Sequence, residues 1–175
     1  MADIEHNLPA ELTTDRLVLT TPVLAHVPEM AVLANNRAIY EVLSRMPHPY
    51  GESDGVFFVQ EIARGAEEFA WSIELDGRFI GAIGLNFLPD QLPALGYWLG
   101  EPYWGRGYAT EAGQAVVAAA RAAGYPALRS RALVTNSSSR NVLRKLGFIE
   151  IGEALDEAGT LVGRSMMQMR LDFAP

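Results

Sequence analysis

The sequence predicts an α/β fold, on three observations. Short runs of alternating or wholly apolar residues predict strands along most of the chain, and longer segments with a helical apolar period predict helices between them. A strand at 94–99 runs through a glycine-rich turn into a long helix at 107–123, and another strand follows at 128–135. The chain has 175 residues, 49% of them hydrophobic, so we expect one domain spanning 1–175.

The first half of the chain predicts one short strand, two helices and a hairpin. These elements are a strand at 17–20, helices at 25–36 and 53–68, and hairpin strands at 70–75 and 78–85. Ser53 is the expected N-cap of the second helix. Asp76-Gly77 tolerates positive φ and so predicts a two-residue hairpin turn. We expect residues 1–13 to form a flexible N-terminal extension.

The second half predicts a strand, a long helix, a strand, a short helix and two closing strands. Their ranges are 94–99, 107–123, 128–135, 139–146, 148–152 and 163–171. Gly124 and Pro126 end the long helix, while Ser139 can cap the short one and Gly147 can end it. The chain therefore predicts about seven strands.

Composition excludes several kinds of site. The chain has no cysteine, so it forms neither a disulfide nor a thiolate metal site, and its three histidines lie far apart in sequence. We expect no bound metal, no membrane span, no signal peptide and a cytoplasmic location.

Charge is distributed unevenly about a net value of −7. Residues 106–145 hold seven basic side chains and one acidic side chain, which is a net +6 and leaves −13 for the rest of the chain. The basic segment suits an anionic cofactor, and the acidic remainder suits a cationic amine, although solvated helix faces would produce the same pattern. A broad basic surface for nucleic acid is not indicated.

The segment 97–112 has the features of an anion-binding turn. Gly105 and Gly107 allow the backbone to approach a ligand, and the first amides of the following helix have no partner within that helix. The lysine that a P-loop requires is absent, and Thr110 stands where a dinucleotide-binding fingerprint has its third glycine. The turn therefore predicts a phosphate ligand of another kind.

Three motifs resemble the GNAT acyltransferase superfamily. Trp104-Gly-Arg-Gly107-Tyr-Ala109 is similar to its Gln/Arg-x-x-Gly-x-Gly/Ala turn for the pyrophosphate of acetyl-CoA, with Trp104 in the place of Gln or Arg. Asn136-Ser-Ser-Ser139, followed by a helix ending in Leu-Gly-Phe148, resembles the second signature of the family. Residues 14–19 resemble the opening strand of the Rim-type branch, whose members acetylate the N-termini of ribosomal proteins. The resemblance spans about residues 14–171.

The resemblance implies a mixed, mostly antiparallel sheet with flanking helices, in which strands 94–99 and 128–135 splay apart to admit the pantetheine arm. The Leu99 backbone and Asn136 would contact that arm, and Arg144 or Lys145 would reach the ribose phosphate. The implied cofactor-binding residues are Leu99, Trp104, Gly105, Arg106, Gly107, Tyr108, Ala109, Thr110, Asn136, Ser139, Arg144 and Lys145. If these residues bind no cofactor, Gly105 and Gly107 would form only a tight turn, and Arg144 and Lys145 would face solvent.

The chemistry requires a neutral amine, a stabilised oxyanion and a proton for the leaving thiolate. Many relatives place a tyrosine acid at the position of Leu143, but Rim-type enzymes use the serine that corresponds to Ser139. Candidates for the base are Glu74, Glu101, His48 and water, while Glu111 suits the helix N-terminus better. Without a catalytic role, Glu74 would be a solvated strand residue and Glu101 a turn residue.

These observations predict an acetyl-CoA-dependent N-acetyltransferase in which a primary amine, such as a protein N-terminus, attacks the thioester directly. Acetyl-CoA is the expected co-substrate, and a homodimer is expected because dimers are common in the resembled branch. A small-molecule acetyltransferase for an antibiotic or polyamine, or a CoA-binding protein without turnover, remains an alternative.

Overall fold

A single mixed sheet forms the centre of the computed structural model, which describes residues 6–174. Its eight strands are β1 Leu12–Thr13, β2 Leu17–Thr20, β3 Glu68–Leu75, β4 Arg78–Asn86, β5 Ala94–Leu99, β6 Ala127–Leu133, β7 Ile149–Leu155 and β8 Ser165–Asp172. They lie in the order β1-β2-β3-β4-β5-β6-β8-β7. Only the β5–β6 pair is parallel within this described sheet. The predicted α/β class and mostly antiparallel sheet are confirmed.

Five α-helices flank the sheet: α1 Val27–Ala34, α2 Arg37–Tyr40, α3 Glu52–Phe57, α4 Tyr108–Ala122 and α5 Ser137–Lys145. Helices α4 and α5 cover one face, where Val116 and Leu143 join a cluster containing Trp71 and Leu95. Helices α1 and α3 lie on the other face, where Met30 packs with Phe79 and Trp98. Because side chains alternate along a strand, neighbouring residues of β5 face different helix layers.

The structure corrects the sequence analysis at several element boundaries. The helix predicted over 53–68 ends much earlier, since α3 continues only through a π-helical turn, Phe58–Ile62, and Glu68 already pairs with Asn86 in the sheet. Gly51, not Ser53, is the N-cap of α3, and its amide donates to the Asp54 carboxylate at 2.8 Å. Strand β1 was missed because two residues are too few to show a periodic pattern.

The predicted N-terminal extension falls partly outside the described residues, because the structure describes nothing before residue 6. The indole Nε1 of Trp71 donates to the Pro9 carbonyl oxygen at 3.0 Å, and β1 pairs with β2. Residues 9–13 therefore lie against the sheet. That the whole chain is one domain stays a prediction. No helix in residues 6–174 is long and apolar enough to span a membrane.

Candidate active site

A turn with two left-handed glycines joins β5 to α4. Gly105 has φ +73° and Gly107 has φ +82°, a region that L side chains rarely adopt. Gly107 is the N-cap of α4, and the first helical backbone bond runs from the Glu111 amide to the Gly107 carbonyl at 3.0 Å. No described side chain caps the helix. The amides of residues 108–110 are therefore available to an anion, and the helix dipole favours one there.

Arg16 ties this turn to the start of β2. Its Nε lies 2.7 Å from Glu111 Oε2, its Nη1 donates to the Arg106 carbonyl at 3.0 Å, and its guanidinium stacks on the Tyr108 ring. Burial raises the pKa of Glu111, but hydrogen bonds from Thr14 and Arg16 and the Arg16 charge outweigh that effect and leave the pKa lowered. The Glu111 carboxylate thus stabilises the turn through Thr14 and Arg16, in agreement with its place in the first turn of α4.

Strands β5 and β6 pair at their beginnings and then separate. Ala94 and Arg129 form the single register pair between them, and the Arg129 amide donates to the Pro93 carbonyl at 2.9 Å. The Ser130 hydroxyl donates to the Leu95 carbonyl at 2.8 Å, after which no further β5–β6 pair forms among the described residues. The splayed strands implied by the family resemblance are therefore present.

The gap that opens between β5 and β6 after Leu95 and Ser130, called the fork, exposes alternate backbone groups of β5. Because the Gly100 amide bonds to the Ile80 carbonyl on the β4 side, the backbone groups of Tyr97 and Leu99 point towards β6 instead. The Leu99 carbonyl already accepts from Trp104 Nε1 at 2.8 Å, so its amide is the group left for a ligand. Trp104 otherwise lies largely exposed, with 45% of its surface accessible.

Ser139 and Asn136 meet at the start of α5, across the fork from β5. The Asn136 side-chain oxygen accepts from the Ser139 amide at 3.2 Å, which makes Asn136 the N-cap. The predicted capping role of Ser139 is wrong, because the helix begins two residues earlier, at Ser137. The Ser139 hydroxyl is consequently free of capping, and it accepts a hydrogen bond from the Tyr97 hydroxyl at 3.2 Å.

Tyr97 is a further residue of the site, to which the sequence motifs assigned no role. Burial raises the pKa of its phenol, and the hydrogen bond with Ser139 offsets only part of that rise, so the hydroxyl stays protonated at neutral pH. Residues 97 and 139 are 42 positions apart, and no local pattern links them. Arg16 was missed as a turn-positioning residue for the same reason.

Arg144 and Lys145 lie exposed at the end of α5. Arg144 Nη2 contacts Glu150 Oε1 at 2.6 Å, so its charge is partly satisfied within the protein. Lys145 has no ion-pair partner in the described part of the chain. The expected contact of either side chain with the ribose phosphate stays a prediction.

The sequence-predicted bases do not gather at the fork. Glu74 accepts from Thr20 at 2.6 Å and contacts His26 at 3.0 Å, at the β2–β3 end of the sheet. Glu101 accepts from the Asn36 side chain at 2.6 Å, where the turn leaves β5. His48 stacks on Tyr40 in the loop before α3. Their catalytic roles stay predictions. Within residues 6–174, no cluster of three or more His, Cys, Asp or Glu could hold a metal ion.

The chain was compared with known families and structures. A family model described as an acetyltransferase (GNAT) domain matches residues 16–149. A search of curated protein sequences gave no significant match.

Solved structures share the fold over almost the whole chain. The microcin C7 self immunity acetyltransferase MccE, in complex with acetyl-CoA and AMP, superposes with a TM-score of 0.82 at 20% identity, covering 96% of this chain and 99% of that one. The ribosomal alpha-N-protein acetyltransferase RimL, in complex with coenzyme A, gives 0.82 at 18%, covering 95% and 97%. RimJ of Mycobacterium smegmatis, in complex with CoA-disulfide, gives 0.76 at 19%, covering 89% and 81%.

Proposed function

This chain belongs to the GNAT acetyltransferase family, and from that premise we propose that it transfers an acetyl group from acetyl-CoA to a primary amine, with protein N-terminal α-amines as acceptors. The observation that carries the proposal is the position of the β5–β6 fork, which leads directly to the N-terminus of α4, where no described side chain caps the helix. One end of this arrangement suits an extended polar arm, and the other suits a pyrophosphate.

Acetyl-CoA would lie along the fork. The amides of residues 107–110 would hold its pyrophosphate, with the backbone of Gly105 and Arg106 completing the turn. The backbone of Tyr97 and Leu99 would pair with the pantetheine arm as an added strand, and Asn136 would flank it. This placement puts the thioester near the point where β5 and β6 separate, beside Ser139.

The amine would attack the thioester carbon directly, since the chain has no cysteine to carry an acetyl group. A C–N bond forms, the C–S bond breaks, and the electron pair leaves on sulfur. Ser139 would donate a proton to that thiolate, with the Tyr97 hydroxyl donating to the Ser139 oxygen and stabilising it as the proton leaves. The amine would lose its proton to water or to one of the candidate bases Glu74, Glu101 and His48.

A protein N-terminus is the favoured acceptor on chemical grounds. An α-amine with a pKa of about 8 is roughly one-tenth neutral at pH 7, whereas a lysine amine with a pKa of about 10.4 is less than a thousandth neutral. The α-amine therefore needs less help from a base. The RimL and RimJ structures have the same fold and support this acceptor class, while MccE supports the small-molecule alternative equally well.

The test is release of free CoA thiol from acetyl-CoA in the presence of three amine panels: short peptides with free N-termini, polyamines and aminoglycosides. N-terminally acetylated copies of the peptides are the matched control. Thiol release with free peptides only supports the proposal. Release with polyamines or aminoglycosides alone would favour the small-molecule enzyme, and binding of acetyl-CoA without any release would favour the non-catalytic alternative.

A homodimer in the cytoplasm completes the proposal. Strand β7 is a sheet edge, and its Ile149, Ile151 and Leu155 side chains are each more than half exposed. A second copy of the chain would bury this apolar edge.

A further inference from the structure

The face of the sheet opposite α4 and α5 is open above Gly96 of β5, and the space above this residue is called the groove. Gly84 and Ala70, the cross-strand neighbours of Gly96, carry no side chain beyond a methyl group, but they are buried, so the groove is confined to the β5 side of the sheet. Gly96 lies in mid-strand, yet it is exposed, and a Cβ placed there would meet nothing within 4 Å. Gly96 immediately precedes Tyr97 at the fork. The groove therefore gives an acceptor access to the backbone where the thioester would lie.

Arginines of β6 border this groove. Arg129 pairs in register with Ala94, so its side chain lies on the face that Gly96 occupies, and Arg131 lies on that face two residues later. The alternate residues of β6, Leu128 and Ala132, belong to the core under α4 and α5. Both guanidiniums therefore belong to the groove side of the sheet.

A third arginine, Arg45, lies in the loop before α3, next to a residue that contacts Arg131. Its neighbour Ser44 accepts a hydrogen bond from Arg131 Nη2 at 3.2 Å. Burial and the like charges of Arg131 and Arg45 lower the pKa of Arg129, which agrees with three cations in close proximity. The acids nearby are Asp156 and Glu68, and Asp156 is already bound to Arg131 at 2.8 Å.

The remaining groups do not neutralise Arg129. Its Nε donates to the Leu92 carbonyl at 2.8 Å, and no carboxylate of the described residues lies within 4 Å of it. Glu68 lies in the same cross-strand row as Asn86, and Arg45 is the charged group that acts on its pKa. Burial raises the pKa of Glu68, while Asn86 and Arg45 oppose that rise. This end of the groove thus has one more cation than anions.

We propose that Arg129, supported by Arg45, binds a negatively charged group on the acceptor, so that the preferred acceptors are peptide N-termini with Asp or Glu at the second or third residue. This inference rests on the proposed transfer to an N-terminal amine. Alternate residues of an extended peptide are about 7 Å apart, which is also the separation of Ala94 and Gly96 along β5. A peptide whose amine lies over Gly96 therefore places an early side chain towards Arg129.

The test compares two peptides, Ser-Asp-Ala-Ala and Ser-Asn-Ala-Ala, which differ only in whether the second residue has a carboxylate or a carboxamide. The quantity measured is kcat/KM for thiol release. We expect the Asp peptide to be favoured about tenfold, within the range of one charged hydrogen bond, with a smaller preference at high salt. Arg129→Gln should reduce the preference below about threefold and leave the Asn peptide nearly unchanged. Arg121→Gln, on α4 at the opposite face, is the matched control and should retain the full preference.

Two further variants protect the test against a misfolded Arg129→Gln protein. Arg45→Gln removes the supporting charge from a loop and should weaken the preference in the same direction. A Cβ at residue 96 would meet nothing within 4 Å, so we expect Gly96→Val to fill the groove, retain acetyl-CoA binding and lose transfer to both peptides. Equal wild-type rates with the two peptides, or a preference that survives both arginine variants, would overturn the acidic-acceptor inference alone. Absence of transfer to every amine would instead overturn the proposed function.

Discussion

The Tyr97 hydroxyl donates a hydrogen bond to the Ser139 hydroxyl at 3.2 Å, and this contact joins β5 to the first turn of α5 across the fork. Asn136 performs the capping of α5, which leaves Ser139 Oγ without a structural task at the helix end. A partly buried phenol that keeps its proton is a suitable donor to a serine that gives its own proton away. The pair thus provides a defined proton source beside the proposed thioester position.

Ser139→Ala should lower kcat by about a hundredfold, the low end of what positioned acid catalysis supplies. Acetyl-CoA affinity and thermal stability should change little, because the Asn136 cap remains. Steady-state kinetics with the best acceptor, beside a melting curve, measures both. An unchanged kcat would remove Ser139 from the mechanism.

Tyr97→Phe should lower kcat by less, by about tenfold, because one hydrogen bond to Ser139 is lost while the serine stays. If the two hydroxyls act together, the double variant should be no slower than Ser139→Ala alone. A double-mutant cycle in kcat tests this. If the two single-variant losses in kcat multiply in the double variant, Tyr97 does not act through Ser139 and supports only packing.

Asn136→Ala should lower the free energy of unfolding by about 1 kcal/mol, the usual cost of a lost N-cap. Ser138→Ala, within the same exposed turn, is the matched control and should cost much less. Urea denaturation of both variants is the measurement. A larger loss with Ser138→Ala than with Asn136→Ala would contradict the assigned cap.

The Arg16–Glu111 contact should make stability depend on pH in the acid range. The pKa of Glu111 is lowered in the folded protein, so its contribution is complete above the ordinary value of about 4.5 and is lost as pH falls through the folded pKa. The difference in unfolding free energy between wild type and Glu111→Gln should therefore be largest near neutral pH and shrink at acidic pH. Urea titrations at several pH values test this, with the exposed Glu67→Gln as control. A difference that does not vary with pH would contradict it.

Local patterns predicted the elements better than the contacts between them. Strands 17–20 and 94–99 have the predicted bounds, because alternation and flanking glycine mark them clearly. The place of Gly107 in the turn before α4 was also predictable, since few residues other than glycine adopt its left-handed backbone. The cap of α5 was not, because Asn136 and the three following serines are all good N-caps and the sequence alone does not choose among them.

Long-range geometry accounts for what sequence reasoning missed. Arg16 and Glu111 are 95 residues apart, and their contact depends on how β2 lies beside α4. The arginines around Gly96 come together only through the strand register and the loop before α3. Residue types along the chain carry no information on these pairings.

Calorimetric titration of the folded wild-type protein with acetyl-CoA, beside ATP and NAD, tests the central claim most directly. We expect one-to-one binding of acetyl-CoA that is much tighter than binding of either nucleotide, because only its pantetheine arm can pair with β5 in the fork. Failure of the folded protein to bind acetyl-CoA, or equal binding of all three ligands, would contradict it.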